Sequence, residues 1–309
     1  MVNSFDYNTQ FENVWKEILY TKREVQSSRL GKALSVPHCS VVFDMSKGQF
    51  PIWSKGSFNK CAMQHELSVL FGGSRIREQG GMTVYPSAIV DFWTSSAGPD
   101  ALKTLKLDHC LKPYELGATY GYQMRFYNGT YPSTQFKLES DQLLSAIVTL
   151  RKDPFDRRIV LNLFNPIAHP VVIQPCMHSF TFTYNLKEKL CLFVNQRSAD
   201  VSVAMSYNIY TAAYFLVFMS AMTGLEPGLL TWHGANCHIY LNNKENSIAM
   251  MKNTERPLPF YWFDSMKDMP LTPDESGAIQ LDAYLNDFNI HIANRIKPEF
   301  IPDRIINGV

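Results

Sequence analysis

One cysteine of the chain stands where a nucleophile could stand. Cys176 follows Pro175 and precedes a strand-like run, so its backbone is constrained and its thiol could face a cleft. A buried structural cysteine fits the same pattern, since free cysteine is among the most buried residue types. Further on comes Gln196-Arg197-Ser198-Ala199-Asp200, after a strand and before an apolar helix. There Arg197 and Ser198 could hold a phosphate through charge-assisted hydrogen bonds, and the arginine could favour a nearby thiolate. A solvated turn fits equally well. Asp156-Arg157-Arg158 puts two arginines at the start of a strand, where alternation sends their side chains to opposite faces. They reach one anion only on irregular backbone or across a subunit interface; otherwise they are two surface charges. His238 and Tyr240 lie two apart on a strand and share a face, which suits hydrogen bonding to sugar hydroxyls or a satisfied core histidine. Glu66 interrupts an otherwise apolar helix, either at the helix surface or pointed into a cleft, where burial would raise its pKa for acid–base work.

The elements that must position these groups follow from periodicity. Phe11, Val14, Trp15, Ile18 and Leu19 have helical spacing, predicting a helix over 11–21. Residues 33–45 read as a strand, and 62–71 as a helix ended by Gly72-Gly73. Residues 74–116 are irregular, with Pro86, Gly98-Pro99 and Pro113. They read as an insertion or lid with a helix near 101–107. Leu143, Leu144, Ile147 and Leu150 share a face, predicting a helix over 141–151. Strands are expected at 158–164, 179–184 and 189–194, the last two joined as a hairpin through Asn185 to Glu188. Residues 212–222 form the longest apolar run, too short for a membrane span of about 20 residues, and read as a core helix ended by Gly224. Further strands are expected at 237–241 and 260–263. There is no internal repeat or linker, so the chain reads as one α+β domain over 1–309, a mixed sheet flanked by helices.

Composition narrows the class. Apolar residues make up 46% of the 309 and charged residues 18%, enough for a sizeable core and compatible with a buried oligomer interface. The net charge of +1, without a basic tail or a block of like charge, does not suit a nucleic-acid binder. Anionic ligands must then be held by a few placed arginines. The six cysteines include no Cys-x-x-Cys pair, so neither a disulfide framework nor a structural zinc site is expected. Residues 1–10 are polar, which predicts no secretory signal and a cytoplasmic protein with reduced thiols.

Read together, the segments resemble thymidylate synthase and its relatives, the nucleotide hydroxymethylases. The matches run in the family's order. They are Phe50-Pro51 with Lys55, His65-Glu66-Leu67, Gly117-Ala118-Thr119-Tyr120-Gly121-Tyr122-Gln123-Met124-Arg125, Asp153-Pro154 with Arg157-Arg158-Ile159, and Pro175-Cys176. Then follow Gln196-Arg197-Ser198-Ala199-Asp200-Val201, Asn208-Ile209, Thr223-Gly224-Leu225-Glu226-Pro227-Gly228, His238-Ile239-Tyr240 and Arg256-Pro257-Leu258-Pro259.

The resemblance implies an obligate homodimer through the sheet face. It implies a covalent adduct of Cys176 with carbon 6 of a pyrimidine nucleoside monophosphate, after which carbon 5 takes a one-carbon unit from 5,10-methylenetetrahydrofolate. No metal is implied. Glu66 would organise protons around the base, and Tyr120 would serve removal of the carbon 5 proton. Gln196, Arg197 and Ser198 would lie at the nucleotide, the last two on its phosphate. Arg157 and Arg158 would reach that phosphate from the partner subunit, and Arg29 is a partial match to the family's phosphate loop. His238 and Tyr240 would bind the ribose, and Asp200 the pterin. Asn208 matches the position that reads the base; its amide suits uracil, where cytosine-specific relatives carry aspartate.

The departures bear on the product. Met177 stands where the synthases have histidine, and Asn195 where they have tyrosine. Val90 stands where a tryptophan shields the reactive methylene from water, although Trp93 could fill that space. Asn236 replaces an aspartate, and residues 305–309 do not match the synthases' closing tail. With water admitted, the expected product is 5-hydroxymethyl-dUMP. Thymidylate synthase proper, a dCMP or CMP hydroxymethylase, and a non-catalytic nucleotide-binding relative remain alternatives.

Overall fold

A computed structural model describes residues 6–21, 23–27, 31–56, 66, 67, 69, 70, 95–132, 140–167, 170–185, 188–255, 258, 259, 261, 265–272, 277, 280, 281 and 284. Arg29, Val90, Trp93, the expected strand at 260–263 apart from Tyr261, and the tail at 305–309 lie outside the described residues.

The chain opens with α1 (Tyr7–Leu19), where Asp6 caps the start by accepting from the Thr9 N–H at 3.1 Å. The apolar stripe predicts this helix, and the cap sets its earlier beginning. Strands β1 (Glu24–Ser27) and β2 (Gly31–Asp44) follow as an antiparallel pair. Phe11 and Tyr7 pack on Phe43 of β2, with ring centroids 5.5 and 4.9 Å apart.

Helix α2 (Pro99–Thr104) lies within the expected insertion. Residues 95–116 are not loose there. Ala97, Leu102, Leu111 and Leu116 make a small satellite core with Val69 and Val172. Helix α3 (Tyr120–Arg125) is short. Helix α4 (Gln142–Lys152) is capped by Asp141, which accepts from the Leu144 N–H at 2.9 Å. The same Asp141 forms a buried ion pair with Arg125 at 2.9 Å, tying α3 to α4. Removing one partner of such a pair costs about 3–5 kcal/mol, because the other charge stays buried.

Then come β3 (Val160–Asn162), β4 (Met177–Tyr184), β5 (Lys189–Gln196) and β6 (Ala199–Asp200). The hairpin expected at 185–188 joins β4 to β5, with the Asn185 N–H donating to the Lys189 carbonyl at 3.0 Å. Strand β3 is shorter than expected. The Arg158 N–H donates to Asp156 Oδ1 at 2.8 Å, so the two arginines sit in a side-chain-stabilised turn rather than in the strand.

Helix α5 (Met205–Thr223) is buried along nearly its whole length, with no charged residue on any side, as a core helix must be. Its Phe215 packs on Phe180 and Phe182 of β4, with centroids 5.2 and 5.5 Å apart. Gly224 ends it in the left-handed region, as expected. Strand β7 (Glu226–Tyr240) begins at once and runs far longer than the expected 237–241, before α6 (Lys244–Met251). Pro227, Gly228 and Gly234 hide it in the sequence. The strand tolerates them because its partners β2 and β5 supply a long ladder on both sides.

The sheet order is β1-β2-β7-β5-β4-β3, with β6 on β7. The β5–β7 and β6–β7 pairs are parallel and the rest antiparallel, so the sheet is mixed, in an α+β fold. One face carries Phe43, Phe180, Phe182, Leu190, Leu192, Val194 and Trp232 into the core with α5 and α1. The other face presents Thr181, Phe193, Thr231 and His233; Phe193, between Thr181 and Thr231 in register, is 38% exposed. Among the described residues no helix is long and apolar enough to cross a membrane.

Candidate active site

A single close approach sets the site. Leu116 and Ala118 exchange backbone hydrogen bonds with Val172 and Pro170, at 3.1 and 2.9 Å. Between them Gly117 has φ +76°, and a Cβ there would lie 2.0 Å from the Pro170 carbonyl oxygen. Only glycine lets the two segments meet. Tyr120 follows one segment and Cys176 the other. Their meeting places the Tyr120 phenol oxygen so that it accepts from the Cys176 N–H at 2.7 Å and the Met177 N–H at 3.3 Å. Gln123 fastens α3 by donating to the Ala118 carbonyl at 2.8 Å.

Cys176 and Arg197 sit at the adjoining ends of β4 and β5, beyond the Met177–Gln196 pair. The Arg197 N–H donates to the Cys176 carbonyl at 2.9 Å. Its guanidinium donates to the carbonyls of Pro175 at 3.1 Å and Gln174 at 2.8 Å, and Nη2 stands 3.7 Å from the Cys176 sulfur. Two carbonyls thus hold a permanent cation against a half-buried thiol, an arrangement that favours the thiolate. Burial, and then the charges of Cys176 and Glu66, push the Tyr120 phenol well above its usual range. Cys176, Tyr120 and Glu66 are therefore neighbours. Glu66 lies on helical backbone and is partly exposed as a residue, but burial of its carboxyl raises it to about 7.

A second set of groups lies along β5, β6, β7 and α5. The Trp232 indole N–H, which can only donate, bonds Gln196 Oε1 at 2.9 Å. That fixes the Gln196 amide, whose Nε2 donates to the Ser198 carbonyl and to Asn208 Oδ1, both at 2.9 Å. The Asn208 amide is thereby oriented too, its oxygen toward Gln196 and its Nδ2 a donor on the other side. Gly234 makes room for this chain; a Cβ there would lie 2.1 Å from the Trp232 ring. His238 and Tyr240 meet edge to face at 5.0 Å. His238 Nδ1 lies 2.8 Å from the Asn236 carbonyl, so Nδ1 carries a proton and donates there. Asp200 pairs with His238 in register and accepts from the Ser202 N–H and hydroxyl at 3.0 and 2.6 Å. Burial raises the Asp200 carboxyl, opposed by Ser202 and by His238.

Cys176, Tyr120, Glu66 and Arg197 come together, as do Gln196, Ser198, Asp200, Asn208, His238 and Tyr240 on the adjoining strand ends and α5. Arg157 and Arg158 do not join them. They precede β3 at the far end of β4, roughly 20 Å from Cys176 at about 3.3 Å per residue. Arg158 is 89% exposed and forks onto Asp156, which it holds well below the usual carboxylate range. Asn195 faces the open side of the sheet and donates to Ser179 at 3.1 Å, away from Cys176.

The structure adds His178. In the β4–β5 ladder Met177 pairs with Gln196 and Ser179 with Asn195, so His178 is the extra residue of a β-bulge. Its Nδ1 is buried without a hydrogen-bond partner. Burial lowers its pKa, opposed by a bond to the Cys176 backbone, while the charge of Arg197 adds to the lowering. The sequence signal was present, two residues after Cys176, but strand alternation alone gave it no place in the site.

Among the described residues no group of three or more His, Cys, Asp or Glu side chains could hold a metal ion. A family model described as Thymidylate synthase matches residues 9–294. The Thymidylate synthase of Equine herpesvirus 2 (strain 86/87) is 28% identical over 253 residues, spanning 79% of this chain and 85% of that protein. A model that takes in nearly the whole chain settles its kinship: the chain belongs to the thymidylate synthase family and is a one-carbon transferase.

Proposed function

We propose that the protein transfers a one-carbon unit from 5,10-methylenetetrahydrofolate to carbon 5 of dUMP, with 5-hydroxymethyl-dUMP as the product. The observation that carries the transfer is the convergence of the Cys176 sulfur, the Arg197 cation and the Tyr120 phenol. The thiolate adds to carbon 6 of the pyrimidine, and negative charge moves toward carbon 5 and the carbonyl at position 4. Asn208 Nδ2 donates to that carbonyl, and the free lone pair of Asn208 Oδ1 accepts from the ring N–H. Cytosine would set its amino group against the same donor. The high carboxyl of Glu66 exchanges protons near neutral pH, and Tyr120 feels the charges of both Glu66 and Cys176. The neutral ring of His178 leaves Nδ1 for water or the base beside the nucleophile. Arg197 and Ser198 take the phosphate, His238 and Tyr240 the ribose, and Asp200 the pterin. The folate supplies carbon at the formaldehyde level and leaves as tetrahydrofolate once the carbon 5 proton is lost; water adds to the exocyclic methylene and the Cys176 thiolate departs from carbon 6.

The chain acts as a single catalytic domain to which residues 95–116 belong. The satellite core supports this, because Val69 follows the Glu66 turn and Val172 precedes Cys176. Two copies pair through the open sheet face, where Phe193 is exposed and Thr181 half-buried. This brings Arg157 and Arg158 of each subunit to the other's phosphate, and Arg29 belongs to the same anion site.

Hydroxymethyl rather than methyl rests on Val90, which stands in the sequence where the synthases carry their shielding tryptophan; Trp93 filling that space would favour methyl instead. Asn195, directed to the open face, carries no weight in this choice. Thymidylate synthesis is the second reading, favoured by the herpesviral relative's name. Incubation with dUMP and methylenetetrahydrofolate, scored by nucleotide mass and dihydrofolate absorbance, separates them. A hydroxymethyl product without dihydrofolate supports the proposal, and a methyl product with matching dihydrofolate replaces it with the second reading. Turnover of dCMP alone would overturn the base assignment.

A further inference from the structure

Asn236 occupies a left-handed turn of backbone within β7, with φ +45°. Its side chain joins three elements. The Ser35 hydroxyl of β2 donates to Asn236 Oδ1 at 3.2 Å, and Asn236 Nδ2 donates to the Ser198 hydroxyl oxygen at 3.1 Å. Its carbonyl receives His238 Nδ1 at 2.8 Å. One residue therefore touches both the group assigned to the phosphate and the group assigned to the ribose.

The direction of the Ser198 bond matters. A serine hydroxyl has one proton and two lone pairs. The Asn236 amide fills a lone pair, so the Ser198 proton stays free for another acceptor. A carboxylate in place of the amide can only accept, and would draw that proton to itself.

We infer that Asn236 is a positioning residue that turns the Ser198 hydroxyl into a dedicated donor for the nucleotide phosphate dianion. This rests on the proposed role of Ser198. The effect belongs to the phosphate alone; the base and ribose contacts do not pass through the Asn236 side chain. Asparagine tolerates the left-handed conformation, as aspartate and glycine do, so both replacements keep the backbone.

The test is calorimetric binding of dUMP and of deoxyuridine to the wild-type protein, Asn236→Asp, Asn236→Gly, Ser198→Ala and the Asn236→Gly/Ser198→Ala double variant. The expected result is that Asn236→Gly weakens dUMP about threefold to tenfold, as loss of one hydrogen-bond arrangement does, and Asn236→Asp more. Deoxyuridine binding stays unchanged, and kcat moves less than KM. In the Ser198→Ala background the glycine replacement has no further effect. Equal losses for dUMP and deoxyuridine would mark a merely structural role and overturn the inference, as would a glycine effect that persists without the Ser198 hydroxyl. If Ser198→Ala itself leaves dUMP binding intact, the phosphate role of Ser198 fails; wild-type protein that binds dUMP no better than deoxyuridine removes the phosphate site altogether.

Discussion

Gln196 Nε2 donates to Asn208 Oδ1 at 2.9 Å, and Trp232, a donor only, leaves Gln196 no other orientation. The Asn208 amide, proposed to read the base, is thus set from behind. Gln196→Glu keeps an acceptor for Trp232 but offers Asn208 an acceptor as well. The Asn208 amide then turns over and presents Oδ1 to the base, where it suits the cytosine amino group. The expected outcome is a fall of about tenfold or more in kcat/KM for dUMP and a rise in the dCMP-to-dUMP ratio, at the scale of one buried hydrogen-bond mismatch. Steady-state kinetics with both nucleotides measure it. An unchanged ratio would mean that the amide's direction does not select the base.

Much of this arrangement was legible in the sequence, and the unread parts share a cause. Helix α4 and the 185–188 hairpin follow from periodicity and turn residues, because local pattern and tertiary packing agree there. Strand β7 was read only at its end, since Pro227, Gly228 and Gly234 look like breakers until two neighbouring strands are seen to hold them. Cys176, Arg197 and Asn208 could be named from motif order. Their couplings could not: the Gly117–Pro170 approach, the Trp232–Gln196 relay and the bulge at His178 join residues far apart in sequence or alter the register that alternation assumes. The separation of Arg157 and Arg158 from Cys176 is likewise a matter of strand ends, invisible until β3 and β4 are paired.

The Arg197 guanidinium beside the Cys176 sulfur, at 3.7 Å, makes thiol reactivity a direct readout. Arg197→Met keeps the stem and removes the charge. At pH 7 the rate of Cys176 alkylation by iodoacetamide should fall about tenfold, because the thiolate, not the thiol, reacts. Cys176→Ala should lose modification at this position, abolish turnover and still bind dUMP. Peptide mass analysis assigns the modified cysteine. An unaltered rate in Arg197→Met would show that the charge serves the phosphate alone.

Glu66 gives a pH dependence with a definite sign. Its carboxyl rises from 4.5 to about 7 on folding. Between those values the folded protein keeps a proton that the unfolded chain has released, so this residue's contribution to stability declines as pH rises across the window. Glu66→Gln removes that decline. In denaturant titrations the variant should gain on the wild type between pH 5 and about 7, then hold a constant advantage. Its kcat should drop about a hundredfold or more, the scale of general acid–base catalysis, and lose the limb near pH 7. A stability difference independent of pH would mean that the carboxyl is not raised.

Arg157 and Arg158 stand roughly 20 Å from Cys176 along β4, so the phosphate role proposed for them requires a second subunit. Mixed dimers test this. A Cys176→Ala protein has no nucleophile but intact arginines; an Arg157→Ala/Arg158→Ala protein has the nucleophile and lacks them. Each alone should be nearly inactive at low dUMP concentration. When the two are unfolded and refolded together, hybrid dimers contain one site with Cys176 from one chain and both arginines from the other. Activity should therefore reappear, approaching a quarter of the wild-type value if pairing is random, since half the dimers are hybrids and each has one intact site. Sedimentation or light scattering shows whether dimers are present. Dimers without restored activity would place the arginines outside the partner's site, and monomers with full activity would remove the need for a partner.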